Sequence, residues 1–131
     1  MDLKLTKKIA LVTGSSSGIG FGIAKKLSDE GCYVILNGRH EKTLKTSADV
    51  LGNNVTFLKA DVTKPKQCKL LIEKIIKIHG RLDILVCNVG NGSSKLPGKE
   101  TIDDWQKMFE INFLSAINII KYSEKYLIKS K

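Results

Sequence analysis

The chain has 131 residues, enough for one domain with a core of its own and too few for two. Its hydrophobic content of 42% is ordinary, and no apolar run is long enough to span a bilayer, so no membrane partner is expected. The formal net charge is +9, but only Arg39 and Arg81 are arginines, and the lysines are scattered over the polar sides of expected helices. With no basic run and no aromatic residues spaced among the charges, the pattern argues against nucleic acid. It fits a solvated surface that attracts a polyanionic cofactor.

The N-terminal Met1-Asp2-Leu3-Lys4-Leu5 carries charges where an export signal needs an apolar stretch, and a cytoplasmic protein is expected. Residues 9–12 form a short apolar run that predicts the first strand. Next come Thr13, Gly14, Ser15, Ser16, Ser17, Gly18, Ile19 and Gly20. Apolar residues at helical spacing follow (Ile19, Ile23, Ala24, Leu27) and predict a helix over 19–30. The glycines let the backbone turn tightly and approach a ligand closely. The helix start then offers unpaired N–H groups and the positive end of its dipole to a phosphate.

Apolar runs at 33–36, 55–58 and 84–87 predict three more strands, buried on both faces as in a parallel sheet. Helices are predicted over 41–51 and 65–79. Pro65 opens the second of these, and Gly31, Gly52 and Gly80 follow the three helices as left-handed caps. Leu71, Ile72, Ile75 and Ile76 form one stripe on the third helix. Residues 89–100 read as a loop. Thr101 with Asp104 is a capping box that opens a long helical pattern (Trp105, Met108, Phe109, Phe113, Ile117) to near Leu127. Cys32, Cys68 and Cys87 are odd in number and form no C-x-x-C pair. Cys32 and Cys87 lie in apolar strand-like runs, so reduced, buried thiols are expected. His40 and His79 have no partner at ligand spacing, and no metal is assigned. The β-α alternation predicts an α/β, Rossmann-type, doubly wound parallel sheet of order 3-2-1-4. Its ligand edge lies where Gly14, Gly18, Asp61, Asn88 and Gly90 converge.

The turn has the spacing T-G-x-x-x-G-x-G, not the common G-x-G-x-x-G. On this signature the chain resembles the short-chain dehydrogenase/reductase family, over its whole length. The resemblance implies hydride transfer between a nicotinamide and a small carbonyl or alcohol substrate of unknown identity. It implies a dinucleotide held by residues 13–20, and an adenine amino group on Asp61 and Val62; the alternative for Asp61 is to cap the helix that follows. Asn88, Val89 and Gly90 resemble the family's N-A-G signature, where short residues admit the ribose. Asn112, inside the long helix, matches an asparagine that holds a water in a proton relay, and its apolar neighbours favour burial. After the second strand, Gly38 stands where NAD-preferring members carry an acidic residue. Arg39 beside it is available to a 2′-phosphate, so NADP is expected over NAD.

The family's catalytic tyrosine, lysine and serine follow the next strand. No Tyr-x-x-x-Lys occurs in this sequence, so Asn112 is the one catalytic residue present. The expectation is therefore a cofactor-binding half, residues 1–131, that is truncated after four strands and the long helix and inactive alone. Its full-length parent is expected to be a homo-oligomer. The alternative is a non-catalytic nucleotide-binding or interaction module. An in-frame continuation into a strand, a serine and Tyr-x-x-x-Lys would separate the two.

Overall fold

The computed structural model describes residues 1–92 and 95–131; residues 93 and 94 of the expected loop lie outside the described residues. The elements in order are β1 (Ile9–Val12), α1 (Gly18–Asp29), β2 (Tyr33–Gly38), α2 (Glu41–Leu51), β3 (Val55–Lys59), α3 (Pro65–His79) and β4 (Ile84–Val86). After them come α4 (Ile102–Phe109), a π turn (Glu110–Leu114) and α5 (Ser115–Lys129). The strands pair in parallel as β3-β2-β1-β4, the order the alternation predicts.

Strand side chains alternate between two faces, and each face has its own apolar cluster. Ile9, Leu11 and Ile35 pack with Leu71, Ile72 and Ile75 of α3 and Ile119 of α5. Ala10, Val12, Val34 and Leu36 pack with Ala24 of α1 and with Leu44 and Ala48 of α2. Helices on both faces make the sheet doubly wound. Truncating a fully buried residue here, such as Leu11 or Ile35, would cost about 2–5 kcal/mol.

Pro65 opens α3, where a missing N–H costs least. Gly80 ends it in the left-handed region, its N–H donating to Ile76 O. Gly31 and Gly52 also have positive φ, but Gly52 continues into an extended ψ of −164° rather than a left-handed cap.

β4 enters the sheet through Asp83. Ile9 N–H donates to Asp83 Oδ2 at 2.8 Å, and Asp83 N–H donates to Ile9 O at 2.9 Å. The Asp83 side chain is 4% exposed, with Arg81 paired to it and Lys8 3.8 Å away. Partial burial alone would raise its carboxyl. The Arg81 bond, the Ile9 amide and the two cations outweigh that and hold it below the ordinary carboxylate range.

Some boundaries and exposures differ from the sequence reading. β4 ends at Val86, and Cys87, just past it, is exposed where a buried thiol is expected; among the described residues β4 pairs with β1 alone. Cys32 and Cys68 are buried; burial pushes the Cys68 thiol up to about 11. Ile19 is 78% exposed, on the outer face of α1 rather than in its apolar stripe. The long helix runs from Ile102 to Lys129, with a π turn in its course that inserts an extra residue into its ladder. α5 packs on α3 and β4. α4 buries no residue, and Ile102, Trp105, Phe109, Phe113 and Ile117 form an exposed apolar face across α4 and α5. The Phe109 and Phe113 rings stack with centroids 5.1 Å apart.

Candidate functional site

The C-terminal ends of all four strands border one cavity of about 530 Å³. Gly14, Ser16 and Ser17 line it from the first turn, Arg39 and His40 from the end of β2, and Asp61 and Val62 from beyond β3. Asn88, Val89 and Gly90 line it from beyond β4.

Several of the sequence-predicted residues stand beneath this cavity and shape it. Thr13 is buried. Its hydroxyl accepts from Asn88 N–H at 3.0 Å and donates to Val86 O, joining the ends of β1 and β4. Ser15 is also buried. Its hydroxyl donates to Val12 O at 2.6 Å and accepts from Asn37 N–H at 3.0 Å, so it braces the turn against β2. Asn88 Nδ2 donates to Gly14 O at 2.8 Å and ties the turn to the loop after β4.

The glycines follow from this packing. Gly14 has φ +59°, and a Cβ there would stand 3.1 Å from Val89 Cγ2. A Cβ on Gly20 would collide with Asn88 Nδ2 and the Gly14 carbonyl. Gly18, at φ +61°, meets nothing within 4 Å, so the space before α1 is open. Ser17 caps α1 without a side-chain bond, and no acidic residue lies in the first turn. The start of α1 is therefore an uncapped positive helix end that opens toward the cavity.

Asp61 is partly committed. Its Oδ1 accepts from Thr63 N–H at 3.0 Å and from the Thr63 hydroxyl at 2.6 Å, a local turn ahead of α3. Partial burial would raise its carboxyl, but the two Thr63 bonds and the charges of Arg39 and Lys64 hold it below the ordinary range. The carboxylate and the Arg39 guanidinium thus share one end of the cavity.

Asn112 is exposed, not buried as its apolar neighbours suggest; it lies in the π turn and faces the loop after β4. There its Oδ1 accepts from Asn91 N–H at 2.8 Å, and its Nδ2 donates to Asn91 O at 3.1 Å and Met108 O at 3.0 Å. A Cβ on Gly90 would stand 2.9 Å from Asn112 Oδ1, so Gly90 is matched to this clamp.

Sequence reasoning missed four contributors. Buried Asn37 donates through Nδ2 to Leu58 O and Ala60 O and staples β2 to β3; its only signal is a polar residue closing an apolar strand. The Ser47 hydroxyl donates to Ser16 O at 2.7 Å, tying α2 to the glycine turn. Lys107 and Ile111 reach the cavity from α4 and the π turn, and no local pattern announces that.

Comparison with known proteins gives a consistent result. The family model described as short chain dehydrogenase matches residues 8–131. An uncharacterized oxidoreductase of Staphylococcus epidermidis is 33% identical over 126 residues, covering 96% of this chain and 55% of the relative. A 3-oxoacyl-[acyl-carrier-protein] reductase of Rickettsia felis is 34% identical over 129 residues, covering 98% of this chain and 52% of the relative. Among solved structures, L-sorbose reductase from Gluconobacter frateurii, complexed with NADPH and L-sorbose, superposes with a TM-score of 0.91 at 30% identity. That match covers 97% of this chain and 50% of the other. The chain spans about half the length of the curated relatives it matches.

Proposed function

The chain belongs to the short-chain dehydrogenase family, and from that premise we propose that it is the NADP-binding part of an oxidoreductase acting on a carbonyl or alcohol. The observation that carries the NADP reading is Arg39. It lines the cavity at the end of β2, directly after Gly38, so a glycine stands where a carboxylate after this strand would repel a 2′-phosphate.

The residues present fit a dinucleotide. The uncapped start of α1 suits the diphosphate, and the open space at Gly18 leaves room for it. Asp61 and Val62 would hold the adenine, Asn88 to Gly90 would border the ribose, and Arg39 would grip the 2′-phosphate. Nicotinamide, once bound, supplies or accepts the hydride. Asn112 fixes the loop after β4 through Asn91 and so sets the floor on which the cofactor rests. Proton transfer needs positioned acid–base groups, each contributing about a hundred- to ten-thousand-fold. The sequence holds no Tyr-x-x-x-Lys to provide them, so these 131 residues form a single cofactor-binding domain that reduces no ketone on its own. The parent protein is cytoplasmic and homo-oligomeric in this reading. The exposed apolar face of α4 and α5 supports association, and no helix among the described residues is long and apolar enough to cross a membrane.

Titration of the chain with NADPH and NADH, repeated on Arg39→Ala, tests the proposal. NADPH should bind more tightly, and Arg39→Ala should weaken NADPH alone by about 1.5–3 kcal/mol, the worth of a charge-assisted contact. Tighter binding of NADH, or an unchanged NADPH affinity in the variant, would overturn the NADP assignment.

A further inference from the structure

The outer edge of β3 is open along its middle. Pairing with β2 uses alternate residues: Val34 N–H donates to Asn54 O, and Ala60 N–H donates to Gly38 O. The peptide groups of Val55, Phe57 and Lys59 therefore turn away from β2. Both ends of that edge are closed. Val55 N–H donates to Gly52 O at 3.2 Å, and past the strand Asp61 N–H donates to Gln67 Oε1 at 2.8 Å. On that outer side, Phe57 and Lys59 between them have no neighbouring strand among the described residues.

A groove of about 390 Å³ runs beside this edge, between β3 and α3, with Leu58, Leu70, Lys59, Lys74 and Lys77 among its walls. Leu70, Lys74 and Lys77 recur on one face of α3, and Leu70 is 59% exposed. The three lysines make no ion pair among the described residues. Glu73, also in the groove, has Lys69 4.0 Å away.

We propose that this edge docks an acidic, extended segment of a partner protein as an added strand. Its backbone would pair with Phe57 and Lys59, its apolar side chains would cover Leu58 and Leu70, and its carboxylates would meet Lys59, Lys74 and Lys77. Charge selects the occupant. Lysines on an edge repel other basic strands, and a second copy of this chain carries a net charge of +9.

The probe is a fluorescent, terminally blocked octapeptide of alternating glutamate and valine, with its lysine–valine counterpart as control. The acidic peptide should bind, weaken with added salt, and slow hydrogen exchange at the Phe57 and Lys59 amides. Lys74→Glu with Lys77→Glu should lower its affinity about tenfold. Lys121→Glu with Lys125→Glu, on exposed positions of α5, should leave it unchanged. Equal binding of the lysine peptide, equal loss in both double variants, or unaltered exchange at Phe57 would overturn the proposal. Circular dichroism of each variant separates lost binding from lost folding.

Discussion

A methyl group at position 20 has nowhere to go. It would meet the Gly14 carbonyl, the Asn88 amide, and Ser15 Cα at 3.0 Å, and the backbone atoms among these cannot rotate aside. Gly20→Ala should cost about 1–3 kcal/mol in urea unfolding. Gly22→Ala is its counterpart: the position is exposed inside α1 and meets nothing within 4 Å. That substitution should stabilise by about 0.5–1 kcal/mol. Equal effects of the two would show that packing does not fix the turn. Asp83 gives a second test. Its folded carboxyl lies below its unfolded value, so its contribution is fully present above about pH 3.9, the ordinary aspartate value. That contribution is lost as pH falls through the folded value. Asp83→Asn should lower stability near neutral pH by about 1.5–3 kcal/mol and flatten the acid limb of the stability curve. An unchanged acid limb would assign that limb to other groups. The glycines are legible in the sequence because turn chemistry is local. Asp83 is not, because its partner Ile9 lies 74 positions away.

Among the elements, α4 depends most on its first turn, since it buries no residue. The Thr101 hydroxyl accepts from Asp104 N–H at 3.2 Å, and Asp104 Oδ2 accepts from Thr101 N–H at 2.8 Å, the box the sequence predicts. Thr101→Ala should fray α4 by about 1 kcal/mol, read as faster amide exchange over Ile102–Phe109. Lys95, together with the Thr101 amide and hydroxyl, lowers the Asp104 carboxyl to about 2. The charged cap should therefore persist through mild acid and fail only as pH falls through about 2. Lys95→Met should move that carboxyl upward in an NMR titration, and an unmoved titration would remove Lys95 from the cause. The start of α4 is legible because a cap is a three-residue pattern. The π turn is not, because the apolar spacing of Phe109 and Phe113 continues through it. Asn112 reads as a buried helix asparagine from its apolar neighbours, and its exposure within the π turn is not legible from that spacing. Cys87 misleads for a different reason: the apolar run 84–87 is one residue longer than β4, which ends at Val86.

For the whole molecule, the order β3-β2-β1-β4 is legible because right-handed crossovers between alternating strands and helices leave few arrangements. The cavity wall from α4 is not, because it depends on where the last helix returns. β4 is an apolar edge strand, and the exposed face from Ile102 to Ile117 lies on the helices that follow it. Light scattering on the purified chain should show association; a monodisperse monomer would contradict this. The same topology orders events in time. β1, β2 and β3 are joined through short crossovers, so they can assemble as soon as the chain through β3 is available. β4 must then find β1 across most of the sequence, guided by the Asp83–Ile9 and Asn88–Thr13 bonds. Docking of β4 is therefore the expected late step of folding. Leu85→Ala should accelerate unfolding and leave refolding nearly untouched, whereas Leu36→Ala should slow refolding. In the cell, a nascent chain halted before residue 84 would hold a formed glycine turn with no Asn88 to secure it, and would reach its binding shape only when the fourth strand closes.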